Sequence, residues 1–398
     1  MDIRVKQVKL AGHLIETPAQ DIYQRYPCPI CGNERRLQPI AEVHANSQTS
    51  LESAFCLDCE HRFHRKFPKT KWLQDYYREK FESSRGTAEE IPPIRPRGFY
   101  RRVRTAAGRL LRYGLSQSVP NRIHDFLFGL TKADGWYYRR HPAVKKILEI
   151  GCGRGDNLLY FDERDFETYG TESNPLRVAE CRGKGLRVFP SSIDGFESVN
   201  ASAPYDFIFS SHVLEHVIDV DSHIRDIAAM LRPDGFLYVE TPDLSGESLV
   251  QQTHTIFHVQ TFSLASMLRL LAKHGFEAVR IAADGNIQVL ARKSESGAKQ
   301  LSLLSGRVYR DVSAPYLACL ARHAPEEFRL RWDHYRMTIE RASDSTVLYD
   351  TGLRALAVAP GPNRHEMLCQ VAKESAGELT WPIRFHYDQP APPLWYKI

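Results

Sequence analysis

The stretch KKILEIGCGRGDNLL, residues 145–159, decides the fold. An apolar run at residues 147–150 leads into a turn with glycine at positions 151, 153 and 155, and a helical pattern follows. Glycine in such a turn permits a positive φ and lets a ligand approach the backbone closely. The strand–turn–helix order therefore predicts the start of a Rossmann-like α/β domain that holds a nucleotide-type cofactor on the turn.

The segments that follow agree with this interpretation. Residues 168–172 form a second predicted strand that ends in Glu172, 17 positions after Gly155, where a carboxylate can accept hydrogen bonds from ribose hydroxyls. Strand and helix patterns alternate from residue 147 to residue 293, which favours a parallel sheet with helices on both faces. Apolar residues recur at helical spacing in residues 219–231 and after Ser263, a predicted helix cap.

The spacing of Glu149 and the three glycines resembles the first motif of class I S-adenosylmethionine-dependent methyltransferases. Later segments resemble the family's further elements in the same order. Residues 186–193 resemble its third strand and adenine-side loop, and residues 205–216 resemble its fourth strand with a Leu-Glu-His turn. Residues 232–242 resemble its fifth strand, and residues 277–283 and 286–292 resemble its closing antiparallel hairpin. The resemblance covers about half of the chain. It implies a Rossmann-like domain with a mostly parallel seven-stranded sheet.

The resemblance also assigns a cofactor site for S-adenosylmethionine. The implied residues are Glu149, Gly151, Gly153 and Gly155 at the methionine end, Glu172 at the ribose, Ser192 and Ile193 at the adenine, and Ser210 and Ser211 closing the pocket.

Methyl transfer requires an aligned nucleophile and, for a hydroxyl or carbon acid, a base that removes a proton. Three histidines on loops after the fourth and fifth strands are candidate catalytic bases: His258, His212 and His216. The stretch around His258 resembles sugar-modifying members of the superfamily, and the deoxysugar C-methyltransferases use a histidine at this position as the base. Phe257 stands where their glutamate would be and His254 is displaced. These departures favour a hydroxyl over a carbon acid as the acceptor.

Two CxxC pairs near the N-terminus, 24 residues apart, predict a structural zinc ion. The pairs are Cys28 with Cys31 and Cys56 with Cys59. Four thiolates complete the tetrahedral shell that zinc prefers, so no position remains open for catalysis. Two nearby histidines, His61 and His64, are not needed as ligands and are expected at the surface.

Changes in composition divide the chain into four parts. We predict a zinc-ribbon domain at 1–82, a linker at 83–98 and the methyltransferase domain, with a basic helical lead-in, at 99–298. Short strand patterns separated by Gly, Pro and Asn predict a small β-rich domain at 299–398. The order of an N-terminal zinc ribbon, a helix and a methyltransferase domain resembles that of enzymes of surface-polysaccharide and sugar biosynthesis, whereas the C-terminal part resembles no family.

Charge and composition limit the possible binding partners and the cellular location. The formal net charge is +5, but residues 95–146 carry thirteen Lys and Arg against two acidic residues. Such a stretch can face nucleic acid, an anionic membrane surface or an acidic substrate, or can be a solvated helical face. No apolar run is long enough for a signal peptide or a membrane span, and eight cysteines are too few for a disulfide scaffold, which predicts a cytoplasmic protein.

We therefore expect an O-methyltransferase that acts on a sugar-containing or other small polar acceptor, a small molecule or a glycan. The first alternative is an RNA methyltransferase that grips phosphates with the zinc ribbon and the basic stretch. The second is a non-catalytic binding protein on a methyltransferase fold. The Ser-Ser-His-Val sequence at residues 210–213 favours a small acceptor over nucleic acid.

Overall fold

The computed structural model describes most of the chain. The described residues are 1–10, 14–15, 22–45, 48–79, 144–162, 166–191, 195–244, 249–283, 286–294, 308–332, 336–351, 365–388 and 394–395. The predicted linker and almost all of the basic stretch 95–146 lie outside these ranges. Among the described residues, no helix has the length and apolar character needed to cross a membrane.

Twenty strands and eight α-helices make up the described chain. The strands are β1 (Asp2–Leu10), β2 (Leu14–Ile15), β3 (Tyr23–Arg25), β4 (Leu37–Ala45), β5 (Gln48–Cys56), β6 (His61–Pro68), β7 (Lys146–Ile150), β8 (Glu167–Glu172), β9 (Val188–Pro190), β10 (Tyr205–Ser211), β11 (Leu231–Pro242), β12 (Gln260–Thr261), β13 (Phe276–Ala283), β14 (Asn286–Lys293), β15 (Glu327–Trp332), β16 (Met337–Arg341), β17 (Val347–Asp350), β18 (His365–Val371), β19 (Ile383–Tyr387) and β20 (Leu394–Trp395). The helices are α1 (Thr70–Glu79), α2 (Asp156–Asp162), α3 (Pro175–Gly183), α4 (Glu197–Asn200), α5 (Val220–Met230), α6 (Leu249–His254), α7 (Leu264–Lys273) and α8 (Val308–His323).

The central part of the chain forms a seven-stranded sheet in the order β13–β14–β11–β10–β7–β8–β9. Neighbours from β9 to β11 pair in parallel, whereas β14 pairs antiparallel with both β11 and β13. The inner strands are buried on both faces, as parallel strands covered by helices require. The predicted Rossmann-like arrangement is confirmed, and the sheet is mixed rather than parallel throughout.

The two predicted helices of this domain also form. Asp219 caps α5 by accepting the Ser222 N–H at 3.0 Å, and Ser263 caps α7 by accepting the Ser266 N–H at 3.1 Å. Their apolar residues, among them Ile224, Ile227, Met267 and Leu270, are buried in one core with the inner strands.

Strands from both ends of the chain form a second sheet, in the order β12–β6–β5–β4–β19–β1–β18–β15–β16–β17, with β3 on β6. β1 runs parallel to β19 on one side and antiparallel to β18 on the other. Alternate apolar residues of these strands, such as Ile3, Val43, Phe328 and Phe385, share one core. Strands of the predicted segments 1–82 and 299–398 are therefore interleaved. The domain boundaries themselves stay predictions.

The two sheets meet where β12 pairs with β6, with Thr261 opposite Arg62. Arg62 is completely buried and donates to Thr261 Oγ1 at 3.0 Å, to the Gln252 carbonyl at 2.9 Å and to Ser53 Oγ at 2.8 Å. A buried guanidinium needs such partners because an unpaired charge away from water is costly. The loop between α6 and α7 is thus attached to the cysteine-bearing hairpin.

The expectation that His61 and His64 lie at the surface is wrong. Both are completely buried on β6. His61 Nε2 lies 2.8 Å from Gln260 Oε1, and His64 Nε2 donates to the Thr255 carbonyl at 3.1 Å. The cause is the pairing of β6 with β12, a segment about 200 residues away, which local sequence patterns do not reveal.

Candidate active site and cysteine cluster

The glycine turn after β7 has two different faces. Gly151, Gly153 and Gly155 have φ values of 67°, 55° and 75°, a region that favours glycine. A Cβ on Gly151 would lie 2.6 Å from Val213 Cγ2, and one on Gly155 would lie 2.7 Å from Leu186 Cδ1. A Cβ on Gly153 would meet nothing closer than 3.8 Å. The outer two glycines therefore permit packing, whereas Gly153 borders open space where a ligand can approach the backbone.

Two buried carboxylates lie at this turn. Glu172 Oε2 accepts the Gly153 N–H and Oε1 accepts the Asn174 N–H, each at 2.9 Å. Glu149 Oε1 accepts from Asn157 Nδ2 at 2.7 Å, while its buried Oε2 has no hydrogen-bond partner among the described residues. Burial raises the pKa of Glu172 and that of Glu149. Since each carboxylate oxygen has two acceptor positions, Glu172 can also accept hydroxyl groups of a ligand.

The end of β10 contributes two serines with different surroundings. Ser210 is completely buried, and its Oγ lacks a hydrogen-bond partner within the described ranges. Ser211 Oγ donates to Glu240 Oε2 at 2.9 Å. Glu240 also accepts from a tyrosine hydroxyl of β11 at 3.1 Å and from two side-chain amides of β14 at 3.0 and 3.1 Å. The predicted adenine-side residues, Ser192 and Ile193, lie outside the described residues.

The three predicted histidines come together around Glu215. His212 Nδ1 lies 3.2 Å from Glu215 Oε1, and His216 Nε2 lies 4.0 Å from the same oxygen. The rings of His216 and His258 meet edge to face, with centroids 5.0 Å apart. Glu215 is not among the residues predicted from the sequence, although it is the middle residue of the Leu-Glu-His turn. Its signal was a carboxylate between two histidines of one short loop.

Val213 places this cluster beside the glycine turn. Its side chain lies against Gly151, while His212, with a φ of 55°, directs its ring toward Glu215. Burial would raise the pKa of Glu215, but the hydrogen bond from His212 and the charges of the histidines outweigh it and lower that pKa to about 2. Burial lowers the pKa of His216 to about 4, so this imidazole is neutral near pH 7.

The loop that carries His258 is held by the N-terminal part of the chain. His216 Nδ1 donates to the Phe257 carbonyl at 2.8 Å. The Phe257 ring packs against Tyr76 of α1, with centroids 4.5 Å apart. His254, the displaced histidine, instead packs edge to face on Phe385 of β19 at 4.8 Å. The fold therefore gives His254 a packing role and brings His258 to the cluster.

The four predicted zinc ligands converge near the start of β6. They are Cys28, Cys31, Cys56 and Cys59, and their sulfur atoms all lie within 4.8 Å of one another. The Cys31 and Cys56 sulfurs are 3.7 Å apart. A tetrahedral ion with Zn–S bonds of about 2.3 Å requires sulfurs roughly 3.8 Å apart, so the donor set fits zinc.

Comparison with known proteins identifies the central domain. Residues 120–281 match a family described as a methyltransferase domain. The C-methyltransferase NovU of Streptomyces niveus is 26% identical over 191 residues, which cover 46% of this chain and 42% of that protein. The ubiquinone biosynthesis O-methyltransferase of Vibrio parahaemolyticus is 32% identical over 133 residues, which cover 32% of this chain and 52% of that protein. These matches indicate an S-adenosylmethionine-dependent methyltransferase domain.

Solved structures give a weaker likeness. The magnesium protoporphyrin IX methyltransferase of Synechocystis PCC 6803, solved with bound SAH, shares 15% identity at a TM-score of 0.37. That alignment covers 57% of this chain and all of the other. The chain spans about half the length of the two curated relatives described above. What the whole chain methylates is therefore a matter for proposal.

Proposed function

We propose that this protein transfers a methyl group from S-adenosylmethionine to a hydroxyl of a sugar-containing or other small polar acceptor. The contact of Val213 with Gly151 carries the proposal, because it places the histidine cluster directly beside the cofactor turn. The names of the curated relatives include both C- and O-methyltransferases. The choice of a hydroxyl acceptor rests on Phe257 and on the displaced His254, where the sequence departs from the deoxysugar C-methyltransferases.

The residues at the turn fit the cofactor. Two buried polar atoms, Glu149 Oε2 and Ser210 Oγ, lack partners among the described residues and would gain them from a polar ligand. Gly153 would allow close approach of that ligand, and Glu172 would accept its ribose hydroxyls. When bound, S-adenosylmethionine supplies an electrophilic methyl group on a sulfonium sulfur.

The chain's own residues must then align the acceptor and receive its proton. In the transfer, the acceptor oxygen bonds to the methyl carbon while the carbon–sulfur bond breaks and its electron pair stays on sulfur. The hydroxyl proton passes to a base, for which His258, His212 and His216 are the candidates. A pKa of about 4 makes His216 a weak base at neutral pH.

Three further proposals accompany this function. The cysteine cluster holds a structural zinc ion, as its sulfur spacing supports. The protein works in the cytoplasm, where a reducing environment suits eight cysteines that are all free. Its partner is a small molecule or a glycan rather than nucleic acid, and contact of the basic stretch 95–146 with an anionic membrane remains an expectation from sequence.

Labelled cofactor tests the function. The full chain is incubated with methyl-labelled S-adenosylmethionine and cell extract, and the products are separated into nucleic acid, protein, glycan, lipid and small molecules. We expect label in the glycan or small-molecule fraction. Label confined to RNA would overturn the substrate class in favour of the alternative enzyme. Binding of S-adenosylhomocysteine without label in any fraction would favour a non-catalytic protein.

A further inference from the structure

We propose that Glu215, His216 and His258 form a second metal site, separate from the cysteine cluster. One ligand atom from each of these side chains lies within 4.8 Å of the other two. Ligand atoms about 2.0–2.2 Å from one ion lie up to roughly 4 Å apart, so small side-chain rotations bring all three onto one ion. Two elements, the turn after β10 and the loop before β12, supply these ligands.

A buried oxygen gives independent support for the site. Glu215 is 2% exposed, and its Oε1 faces His212 and His216. Its Oε2 is buried and finds no hydrogen-bond partner in the part of the chain that the structure describes. A carboxylate oxygen withdrawn from water without a partner is costly, and a cation would supply the missing interaction.

The tautomer of His216 suits a metal ligand. A backbone carbonyl only accepts hydrogen bonds, so the contact with Phe257 fixes the proton on Nδ1 and leaves the lone pair on Nε2. That Nε2 is the nitrogen turned toward Glu215. Histidines that bind metals typically donate their other ring N–H to a carbonyl or carboxylate in this way. Since Phe257 precedes His258, the same loop orients one ligand and provides another.

The donor set indicates the class of ion. Two imidazoles and one carboxylate favour Zn²⁺, Fe²⁺ or a similar first-row ion over Mg²⁺ or Ca²⁺. Three protein ligands leave a coordination position for water or for an oxygen of the acceptor. Use of that position by the acceptor rests on the proposed function, whereas binding of the ion does not. A metal-bound nitrogen has no lone pair for a proton, so the site gives His258 a binding role instead of that of the base.

Cobalt titration of the metal-free full chain tests the site. Thiolate ligands give Co²⁺ an intense charge-transfer absorption, which the histidine–carboxylate site lacks. We expect two bound Co²⁺ ions per chain, only one of them with that absorption. We also expect a paramagnetically shifted, solvent-exchangeable proton from the Nδ1–H of His216. A single bound ion that shows only thiolate absorption would overturn the proposal.

Variants assign the second ion to its ligands. Because loss of an outer partner alone weakens metal binding by about 10–100-fold, His216→Ala and Glu215→Gln should each weaken the second ion by at least that factor and leave the thiolate absorption intact. His386→Ala, on the half-exposed side chain of a β19 histidine, is the matched control and should change neither ion. If His216→Ala fails to fold, the isosteric Glu215→Gln variant and the shifted proton of the wild type still show whether Glu215 and His216 bind the second ion. A second ion of unchanged affinity in both variants would refute the assignment.

A separate measurement tests whether the second ion takes part in binding the acceptor. Turnover of the labelled acceptor fraction is compared before and after the weaker ion is removed with a mild chelator, and the thiolate absorption reports the cysteine cluster. Loss of turnover with restoration by Co²⁺ is expected. Undiminished turnover would overturn the role in acceptor binding and leave the cobalt result standing.

Discussion

Alanine substitutions at Gly151 and Gly153 should have different consequences, a large loss of stability at Gly151 and a loss of ligand binding at Gly153. Both positions have positive φ, so each alanine costs about 1–2 kcal/mol of backbone strain. At Gly151 the new Cβ would lie 2.6 Å from Val213, which adds an overpacking cost of about 1–3 kcal/mol. Gly151→Ala should therefore lower the free energy of unfolding by about 2–5 kcal/mol. At Gly153 only the strain applies, because the new Cβ would meet only Arg177 Nη1, at an ordinary contact distance of 3.8 Å.

The cost at Gly153 should appear in ligand binding instead. If the cofactor approaches the backbone there, the methyl group of Gly153→Ala overpacks the site by about 1–3 kcal/mol, which weakens binding roughly 5- to 150-fold. Urea unfolding measures the first effect, and calorimetry with S-adenosylhomocysteine measures the second. The reasoning fails if Gly153→Ala binds the ligand as tightly as the wild type, or if the two variants lose the same stability.

Four other substitutions test the ribose contact, the zinc site, the role of His258 and the pH dependence of stability. Glu172→Ala should weaken S-adenosylhomocysteine binding by about 1.5–3 kcal/mol in calorimetry, because it removes a charged acceptor, and unchanged affinity would contradict the ribose role. Cys56→Ser should release about one zinc per chain in metal analysis and lower the melting temperature, whereas a fully stable metal-free protein would rule out structural zinc. His258→Ala should keep cofactor binding but slow turnover, by about 10²–10⁴-fold where His258 acts as the base. Loss of the second Co²⁺ ion in the same variant would assign His258 to the metal site instead, and a loss of turnover below tenfold with both ions bound would remove it from the site. Burial lowers the pKa of His223 to about 3 from a usual value near 6.5, so its contribution to stability is complete above pH 6.5 and falls by about 1.4 kcal/mol per unit as the pH drops toward 3. Other buried histidines, such as His61 and His216, also have lowered pKa values, of about 4, and contribute to the same slope. His223→Leu should therefore reduce the slope of the urea-unfolding profile by about 1.4 kcal/mol per pH unit, and a slope equal to that of the wild type would show that His223 does not contribute.

The Rossmann-like domain could be predicted from the sequence because each of its diagnostic features is formed by residues that are close together in the chain. The glycine turn, the strand ending at Glu172 and the cap at Ser263 each depend on residues a few positions apart. The two short CxxC spacings likewise predict that the four cysteines form a cluster. In each case the chemistry of a few neighbouring residues determines the local structure.

The second sheet could not be predicted in the same way. Strand β1 is separated from both of its neighbours, β18 and β19, by more than 300 residues. An alternating pattern does not reveal which strand will pair with which. The burial of His61 and His64 was missed for the same reason. Glu215 was missed for another reason. It forms a cluster with His258, which lies more than 40 residues further along the chain and which only the folded loop brings near.

The contacts of β6 explain why the cysteine hairpin and the histidine cluster should not be regarded as independent sites. Directly after Cys59, the carbonyl of Glu60 accepts from Ser263 Oγ at 2.8 Å, at the cap of α7. Further along β6, the Val259 carbonyl accepts the His64 N–H at 2.9 Å, one residue beyond His258. Loosening of the hairpin would remove these supports from the loop but would leave the Glu172 contacts of the glycine turn unchanged. We therefore expect a disturbance of the cysteine cluster to displace the loop that carries His258 before it affects the glycine turn.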